Sequence, residues 1–155
     1  MSEIAVGGHQ ENIAALITRL FVSTDRRDWA VVRGCFDDPV LFDMTSVAGG
    51  APATLTPEQI TRGWDAGLQP IEQVHHQIGN VTIDVGRAGA KATATCYGIA
   101  YHYRNTKSGR NTRVFVGTYD FELREVNPAD WRICAFRFNL KFIDGNRTLE
   151  SEPGA

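Results

Sequence analysis

The sequence predicts an α+β fold in which helices come first and an antiparallel sheet follows. Apolar residues recur at helical spacing early in the chain and alternate with a period of two from about residue 81 onward. A chain of 155 residues can form one domain with an ordinary hydrophobic core. We expect residues 11–143 to form that domain, between a flexible N-terminus at 1–10 and a flexible C-terminal tail at 144–155.

Two helices are predicted at the start of the domain. The first follows an N-cap at Asn12, and its apolar residues fall on one stripe: Ile13, Leu16, Ile17, Leu20 and Phe21. Asp28 is the expected cap of a second, short helix that runs from Trp29 to about Cys35. Both helices should pack against the later sheet through their apolar faces.

A strand is expected at Val40–Thr45, and a third helix follows it. Thr56 begins this helix, because Pro57 occupies its first turn and Gln59 completes a capping box. Its apolar line comprises Ile60, Trp64 and Leu68.

Four further strands complete the predicted sheet. They are expected at Val81–Val85, Lys91–Arg104, Thr112–Glu125 and Trp131–Ile143. Short turns that contain glycine or proline join them, which favours an antiparallel meander. A twisted sheet that curls over an amphipathic helix would leave room for a ligand pocket.

Composition argues against several classes of protein. A formal net charge of −2 lacks the basic excess of a nucleic-acid binder, and no apolar run approaches the ~20 residues of a membrane span. Met1–Glu11 does not resemble a signal peptide, so we expect a cytoplasmic protein. The three cysteines, Cys35, Cys96 and Cys134, are far apart and are expected to be free. No ligand spacing typical of a metal site is present, so we expect no metal.

Asp25 is the first candidate for chemistry, because it borders the buried stripe of the first helix. It is either part of a site or a surface carboxylate paired with Arg26 or Arg27. Adjacent residues of a strand point to opposite faces, so only one of His75 and His76 can face a pocket.

Strand alternation favours His75 as the residue that faces the pocket, unless a bulge at Gly79 reverses the count. His102 lies on the same strand face as Cys96, Gly98 and Ala100. That row of small residues leaves volume for a ligand or for a large neighbouring side chain.

Two motifs and their order resemble the SnoaL-like branch of the nuclear-transport-factor-2-like superfamily, which includes scytalone dehydratase and hexachlorocyclohexane dehydrochlorinase. The motifs are Thr-Asp-Arg-Arg-Asp-Trp at 24–29 and His-His-Gln-Ile-Gly-Asn at 75–80. With the helices-first order, the resemblance covers about residues 10–143. It implies a cone-shaped, curled, mostly antiparallel sheet of the cystatin-like type, packed on N-terminal helices around a deep pocket.

The resemblance also implies a cofactor-independent lyase or isomerase that acts on a small, largely apolar, cyclic substrate. The family's aspartate falls on Asp25, its pocket histidine on His76, not His75, and its second histidine on His102. His76 would be the general base, and Asp25 would orient its ring and stabilise the imidazolium. His102 would donate a proton to a leaving group or to an enolate.

Two positions depart from scytalone dehydratase, which carries tyrosines where this chain has Thr24 and Met44. Both are still expected to contact the substrate, together with His75 and an apolar wall comprising Phe42, Trp64, Phe136 and Phe138. The alternative function is a non-catalytic module of the same fold that binds a small ligand or supports oligomerisation. A homodimer or homotrimer is expected in either case, without nucleic-acid or membrane partners.

Overall fold

The computed structural model describes residues 3–155, with side chains described from residue 7 onward. Four helices precede the third strand: α1 (Glu3–Asp25), α2 (Trp29–Cys35), α3 (Thr45–Ala48) and α4 (Pro57–Leu68). The strands are β1 (Phe36–Asp43), β2 (Ala53–Leu55), β3 (Gln73–Val85), β4 (Lys91–Tyr103), β5 (Thr112–Asn127) and β6 (Asp130–Gly145). The predicted order of helices and strands is therefore confirmed.

The six strands form one sheet in the order β2-β1-β6-β5-β4-β3. Every neighbouring pair is antiparallel except β1 and β6, which are parallel. The sheet curls around the helices, so the predicted α+β class with a mostly antiparallel sheet is confirmed.

The core lies between α1 and the inner face of the sheet. The predicted stripe of α1 is buried throughout, with Ile13, Leu16, Ile17 and Leu20 at most 1% exposed. Phe121, Leu123 and Ile133 from β5 and β6 belong to the same buried cluster. Each such side chain contributes roughly 1.5–3 kcal/mol on burial, so this interface holds α1 in register with the sheet.

Helix α1 begins at Glu3, well before the expected N-cap at Asn12. Residues 3–10 therefore belong to α1, where a flexible N-terminus was expected. Two contacts explain the difference: the Trp131 indole N–H donates to His9 Nδ1 at 3.2 Å, and the Gln10 amide donates to the Ile83 carbonyl at 3.2 Å. Tertiary contacts here outweigh the low helix propensity of glycine.

Residues 146–155, called the C-terminal segment below, pack against the sheet and do not form the loose tail expected from their composition. Leu149 is fully buried in a small cluster with Ile71 and Val74. The Arg104 guanidinium donates to the carbonyls of Leu149 and Glu150 at 3.0 and 2.9 Å. The segment is thus fastened to the end of the sheet where β4 and β5 meet.

Candidate functional site

A cavity of about 230 Å³ lies between α1, α4 and the inner face of the sheet. Seven of the predicted site residues line it: Thr24, Met44, Trp64, His76, His102, Phe136 and Phe138. Residues that sequence reasoning did not assign to the site also line it, including Phe21, Val47, Leu68, Phe115 and Tyr119. The lining is predominantly apolar, with a few polar side chains among aromatic rings.

Helix α4 forms one side of the cavity through Trp64 and Leu68. Its start is fixed as predicted, because Thr56 and Gln59 form a reciprocal capping box. At the other end of α4, the Arg27 guanidinium donates to the carbonyl of Leu68, the last helical residue, and to that of Ile71. These contacts tie the end of α4 to the end of α1.

Asp25 is the last residue of α1, and its carboxylate binds His76 through both oxygens. Oδ1 lies 2.6 Å from His76 Nδ1, and Oδ2 accepts the His76 backbone N–H at 2.9 Å. The two side chains are only 19% and 13% exposed, so water screens this pair weakly. The alternative in which Asp25 pairs with Arg26 or Arg27 is wrong, since Arg27 is directed at α4 and Asp25 at β3.

A one-residue bulge in β3 decides which histidine faces the cavity. Gly79 pairs with Tyr97 and Thr82 with Thr95, so three steps along β3 match two along β4. The parity counted back from Val81 is thereby reversed. His76 turns inward against the Phe21 ring, with centroids 5.2 Å apart.

His75 lies on the opposite face of β3, so the expectation that it contacts substrate is wrong. Its ring packs near Tyr101 on the outer face, with centroids 6.2 Å apart. Phe42 also does not line the cavity. Its ring stacks on that of Phe136, with centroids 5.5 Å apart, and so contacts a residue that does line the cavity.

The carboxylate of Asp25 fixes the tautomer of His76. An ionised carboxylate only accepts hydrogen bonds, so His76 Nδ1 carries the proton that points at Asp25. The other ring nitrogen, Nε2, is then an unprotonated lone pair. His76 is therefore arranged as a base and hydrogen-bond acceptor.

Arg113 fixes the opposite tautomer in His102. Its Nη2 lies 3.2 Å from His102 Nδ1, and a guanidinium only donates, so Nδ1 accepts and Nε2 carries the proton. Burial, together with the neighbouring Arg113 charge and His76, lowers the pKa of His102 to about 4. His102 is thus a neutral hydrogen-bond donor near neutral pH.

Tyr119 adds a hydroxyl to the cavity that sequence reasoning missed. Its ring packs on Phe21, with centroids 4.7 Å apart, and within the described residues its hydroxyl has no hydrogen-bond partner. Burial raises the pKa of Tyr119 well above its usual value, so the hydroxyl stays protonated. The signal available in the sequence was the row of small residues on β4, which leaves room for a large neighbouring side chain. Tyr119 is that neighbour, because a Cβ at Gly98 would lie 2.2 Å from its ring.

Thr24 and Met44 line the cavity where scytalone dehydratase has tyrosines. The Thr24 hydroxyl donates to the Leu20 carbonyl at 2.8 Å, one helical turn earlier in α1. Its proton is therefore engaged by the backbone. Met44 contributes only apolar surface.

The described residues contain no cluster of three or more His, Cys, Asp or Glu side chains that could hold a metal ion. Cys35, Cys96 and Cys134 are unbridged, and burial raises the pKa of each thiol. In the part of the chain that the structure covers, no helix combines the length and apolar character that a membrane crossing requires.

The fold and the site together define a small α+β protein with an aromatic cavity, whose lining includes an imidazole bound to a carboxylate. Residues 9–137 match the model of the SnoaL-like domain, and the chain belongs to that family. The resemblance noted from the motifs at 24–29 and 75–80 is thereby confirmed. No protein of curated function matches the chain in sequence.

Several solved structures share this fold. The Kfla4162 protein of Kribbella flavida is 21% identical with a TM-score of 0.86, and the match covers 94% of this chain and 98% of that one. A scytalone dehydratase-like protein of Novosphingobium aromaticivorans is 12% identical with a TM-score of 0.81, covering 98% and 97%. A hexachlorocyclohexane dehydrochlorinase of Novosphingobium barchaimii is 13% identical with a TM-score of 0.77, covering 94% and 95%.

Proposed function

We propose that the protein is a cofactor-independent lyase or isomerase that removes a proton from carbon in a small, neutral, largely apolar cyclic substrate. The observation that carries this proposal is the 2.6 Å contact of Asp25 Oδ1, which does not itself line the cavity, with Nδ1 of the cavity-lining His76. A carboxylate in this position orients the imidazole and stabilises the imidazolium that forms when Nε2 takes a proton.

The same arrangement supports elimination and isomerisation. In a β-hydroxyketone, His76 Nε2 would take the α-proton, and the C–H electron pair would form an enolate. The carbon–oxygen bond at the β-carbon then breaks, and the His76 imidazolium returns its proton to the departing hydroxyl as water. In an isomerisation the proton returns to another carbon of the same substrate.

His102 would stabilise the oxyanion of that enolate through its Nε2 proton. A neutral donor of this kind lowers the barrier without itself changing charge, as donors in oxyanion holes do. General acid–base catalysis is worth roughly 10²–10⁴-fold in rate, and one oxyanion donor about 10²–10³-fold.

The size and lining of the cavity support a small apolar ring as substrate. An engineered cavity of about 150 Å³ binds benzene, so 230 Å³ accommodates a substituted ring. Phe136, Phe138 and Trp64 contribute much of its aromatic surface. Burying a charged substrate among them would carry a large desolvation penalty, which favours a neutral one.

The structural neighbours are consistent with this class of reaction. Their names describe a dehydratase-like protein and a dehydrochlorinase, and both terms denote eliminations. At 12% and 13% identity, these neighbours support the fold directly and the reaction class only by analogy.

A first test uses 5-nitrobenzisoxazole, a neutral bicyclic compound. A base removes its ring C–H proton as the N–O bond breaks, which gives a nitrile and a coloured phenolate. We expect the protein to accelerate this reaction at pH 7, and Asp25→Asn and His76→Gln to lower the rate by about 10²-fold or more. The measurement is initial-rate absorbance, with circular dichroism to verify folding.

His75→Gln is the matched control, because His75 is adjacent in sequence but lies outside the cavity. It should retain the wild-type rate. The proposal is overturned if the wild type gives no acceleration, or if His75→Gln loses as much activity as His76→Gln. Saturable binding of the compound without turnover would favour the ligand-binding alternative.

A further inference from the structure

Arg113 connects the cavity to the C-terminal segment. The residue lies in β5 and is only 8% exposed. One side of its guanidinium, Nη2, faces His102 Nδ1 at 3.2 Å. The other side, Nη1, donates to the Arg147 carbonyl at 3.3 Å and to the Glu150 carboxylate.

The guanidinium is also held over the face of Phe115, with its central carbon 5.0 Å from the ring centroid. Phe115 lines the cavity, so the ring and the two C-terminal acceptors fix the plane of Arg113. The Nε proton of Arg113 is buried and has no partner among the described residues. The guanidinium is therefore held by its two terminal nitrogens. Nη1 binds Glu150 and Arg147, and Nη2, on the other side, faces His102.

We infer that Arg113 is a positioning residue for His102, and that Glu150 in the C-terminal segment holds Arg113 in place for this task. The inference rests on the proposed function for its catalytic consequence, because it assigns the origin of the Nε2–H donor that the proposal uses. The C-terminal segment therefore contributes to the geometry of the site through Glu150, although none of its residues lines the cavity.

The chemistry of the partners explains why arginine suits this position. A guanidinium cannot accept a hydrogen bond, so it allows only the tautomer of His102 with the proton on Nε2. The remaining charged and titratable groups that influence His102 are His76 on β3, Asp25 on α1 and Glu150. Within the described residues, none of these three hydrogen-bonds to a ring nitrogen of His102, whereas Arg113 Nη2 lies 3.2 Å from Nδ1.

The test reads the tautomer of His102 directly, without any substrate. A two-bond ¹H–¹⁵N correlation spectrum of ¹⁵N-labelled protein distinguishes Nε2–H from Nδ1–H imidazole. The chain has four histidines, and His102→Gln assigns the signal. We expect wild-type His102 to be Nε2–H at pH 7 and to titrate far below the ordinary value of 6.5.

Two substitutions should disrupt the contact between Arg113 and His102, and a third should retain it. Arg113→Gln introduces an amide that can donate or accept, so both tautomers should appear and the His102 midpoint should rise toward 6.5. Glu150→Gln removes the anchoring charge and should likewise allow both tautomers to appear. Because the Glu150 charge itself raises the pKa of His102, the tautomer and not the midpoint is the readout for this variant. Arg113→Lys retains a group that only donates and should keep the Nε2–H form.

Glu152→Gln is the matched control. Glu152 lies in the same C-terminal segment, but its carboxylate accepts from the Ser108 hydroxyl at 2.6 Å and not from Arg113. Its His102 spectrum should equal that of the wild type. Because the Glu150 side chain is 45% exposed, Glu150→Gln provides a variant that folds even if Arg113→Gln does not.

An unchanged His102 tautomer in Glu150→Gln would overturn the inference, and so would an equal change of tautomer in Glu152→Gln. With 5-nitrobenzisoxazole, we expect Glu150→Gln to slow turnover by roughly tenfold, less than the 10²–10³-fold lost with a direct donor. A tautomer change in a protein whose wild type does not convert the compound would refute the proposed function and support the positioning role.

Discussion

His76 and His102 are chemically identical side chains that the protein makes opposite in hydrogen-bonding character. Asp25 accepts a hydrogen bond from Nδ1 of the first, and Arg113 donates a hydrogen bond to Nδ1 of the second. The partner therefore determines whether Nε2 of each ring is a lone pair or a donor. A histidine pair that offers one acceptor and one donor suits a reaction in which a proton leaves carbon while charge develops on oxygen.

The low pKa of His102 makes stability depend on pH. The folded protein holds this pKa at about 4 against 6.5 for an unperturbed histidine, so the unfolded chain binds more protons between these values. Stability from this group is complete above pH 6.5 and is lost as pH falls toward 4. The full effect is roughly 3 kcal/mol, the free-energy equivalent of that pKa difference.

Urea unfolding of the wild type and His102→Gln at pH 7 and pH 4.5 measures this effect. Carboxylates contribute equally to both proteins, so the comparison isolates His102. We expect the wild type to lose about 2–3 kcal/mol more than the variant between the two pH values. Parallel losses in both proteins would contradict the assignment of a buried, neutral His102.

At the scale of elements, the inner face of β4 sets how much space the cavity has. Cys96, Gly98 and Ala100 form a row of small residues, and the cavity opens over Ala100. Tyr119 of β5 fills the space over Gly98. The row therefore serves both purposes considered from the sequence, a ligand space at one end and close packing at the other.

Gly98→Ala tests this use of space. The new Cβ would lie 2.2 Å from Tyr119 Cε2, so the ring must move toward the cavity. Overpacking of this kind costs about 1–3 kcal/mol, which urea denaturation detects. Gly79→Ala on β3 is the control, because its Cβ meets nothing within 4 Å. Equal stability of the two variants would mean that Tyr119 has free space to move.

Helices and strands with strong local signals were predictable from the sequence. The stripe of α1 and the capping box of α4 follow from residue spacing and side-chain chemistry within a few turns. The orientation of His76 was not predictable from alternation, since a single extra residue near Gly79 reverses the faces of β3. Resemblance to the family supplied what periodicity could not.

The packing of the C-terminal segment was not predictable for a different reason. Leu149 stands among polar residues, and its burial depends on Ile71 and Val74, which are remote in sequence. Local composition carries no information about such a contact. Arg113 likewise could not be identified as part of the site, because its partners in the C-terminal segment lie more than thirty positions away.

At the scale of the whole molecule, the outer face of the sheet is unusually apolar. Tyr97, Tyr101, Tyr103 and Phe142 are each about 40–54% exposed. Cross-strand partners share a face, and Ile99, Val116 and Phe142 are paired in succession across β4, β5 and β6. Exposed aromatic surface of this extent is typical of interaction sites.

We propose that two or three copies of the chain associate through this outer face. Sedimentation velocity should then give a species larger than the single 155-residue chain. Combined Tyr97→Glu and Phe142→Glu should shift it toward monomer by burying unpaired charge at the contact. Val31→Glu, at an exposed position on α2, is the control and should not change the assembly. A monomeric wild type would contradict the proposal.

The parallel pairing of β1 with β6 has a consequence for the order in which the protein can be made. Phe42 pairs with Phe136, so β1 can pair with β2 early but with β6 only after the last strand has left the ribosome. The cluster of Ile71, Val74 and Leu149 forms later still, because Leu149 follows β6 in the sequence. Contacts so distant along the chain slow folding, and during synthesis the nascent helices must remain without their sheet partners.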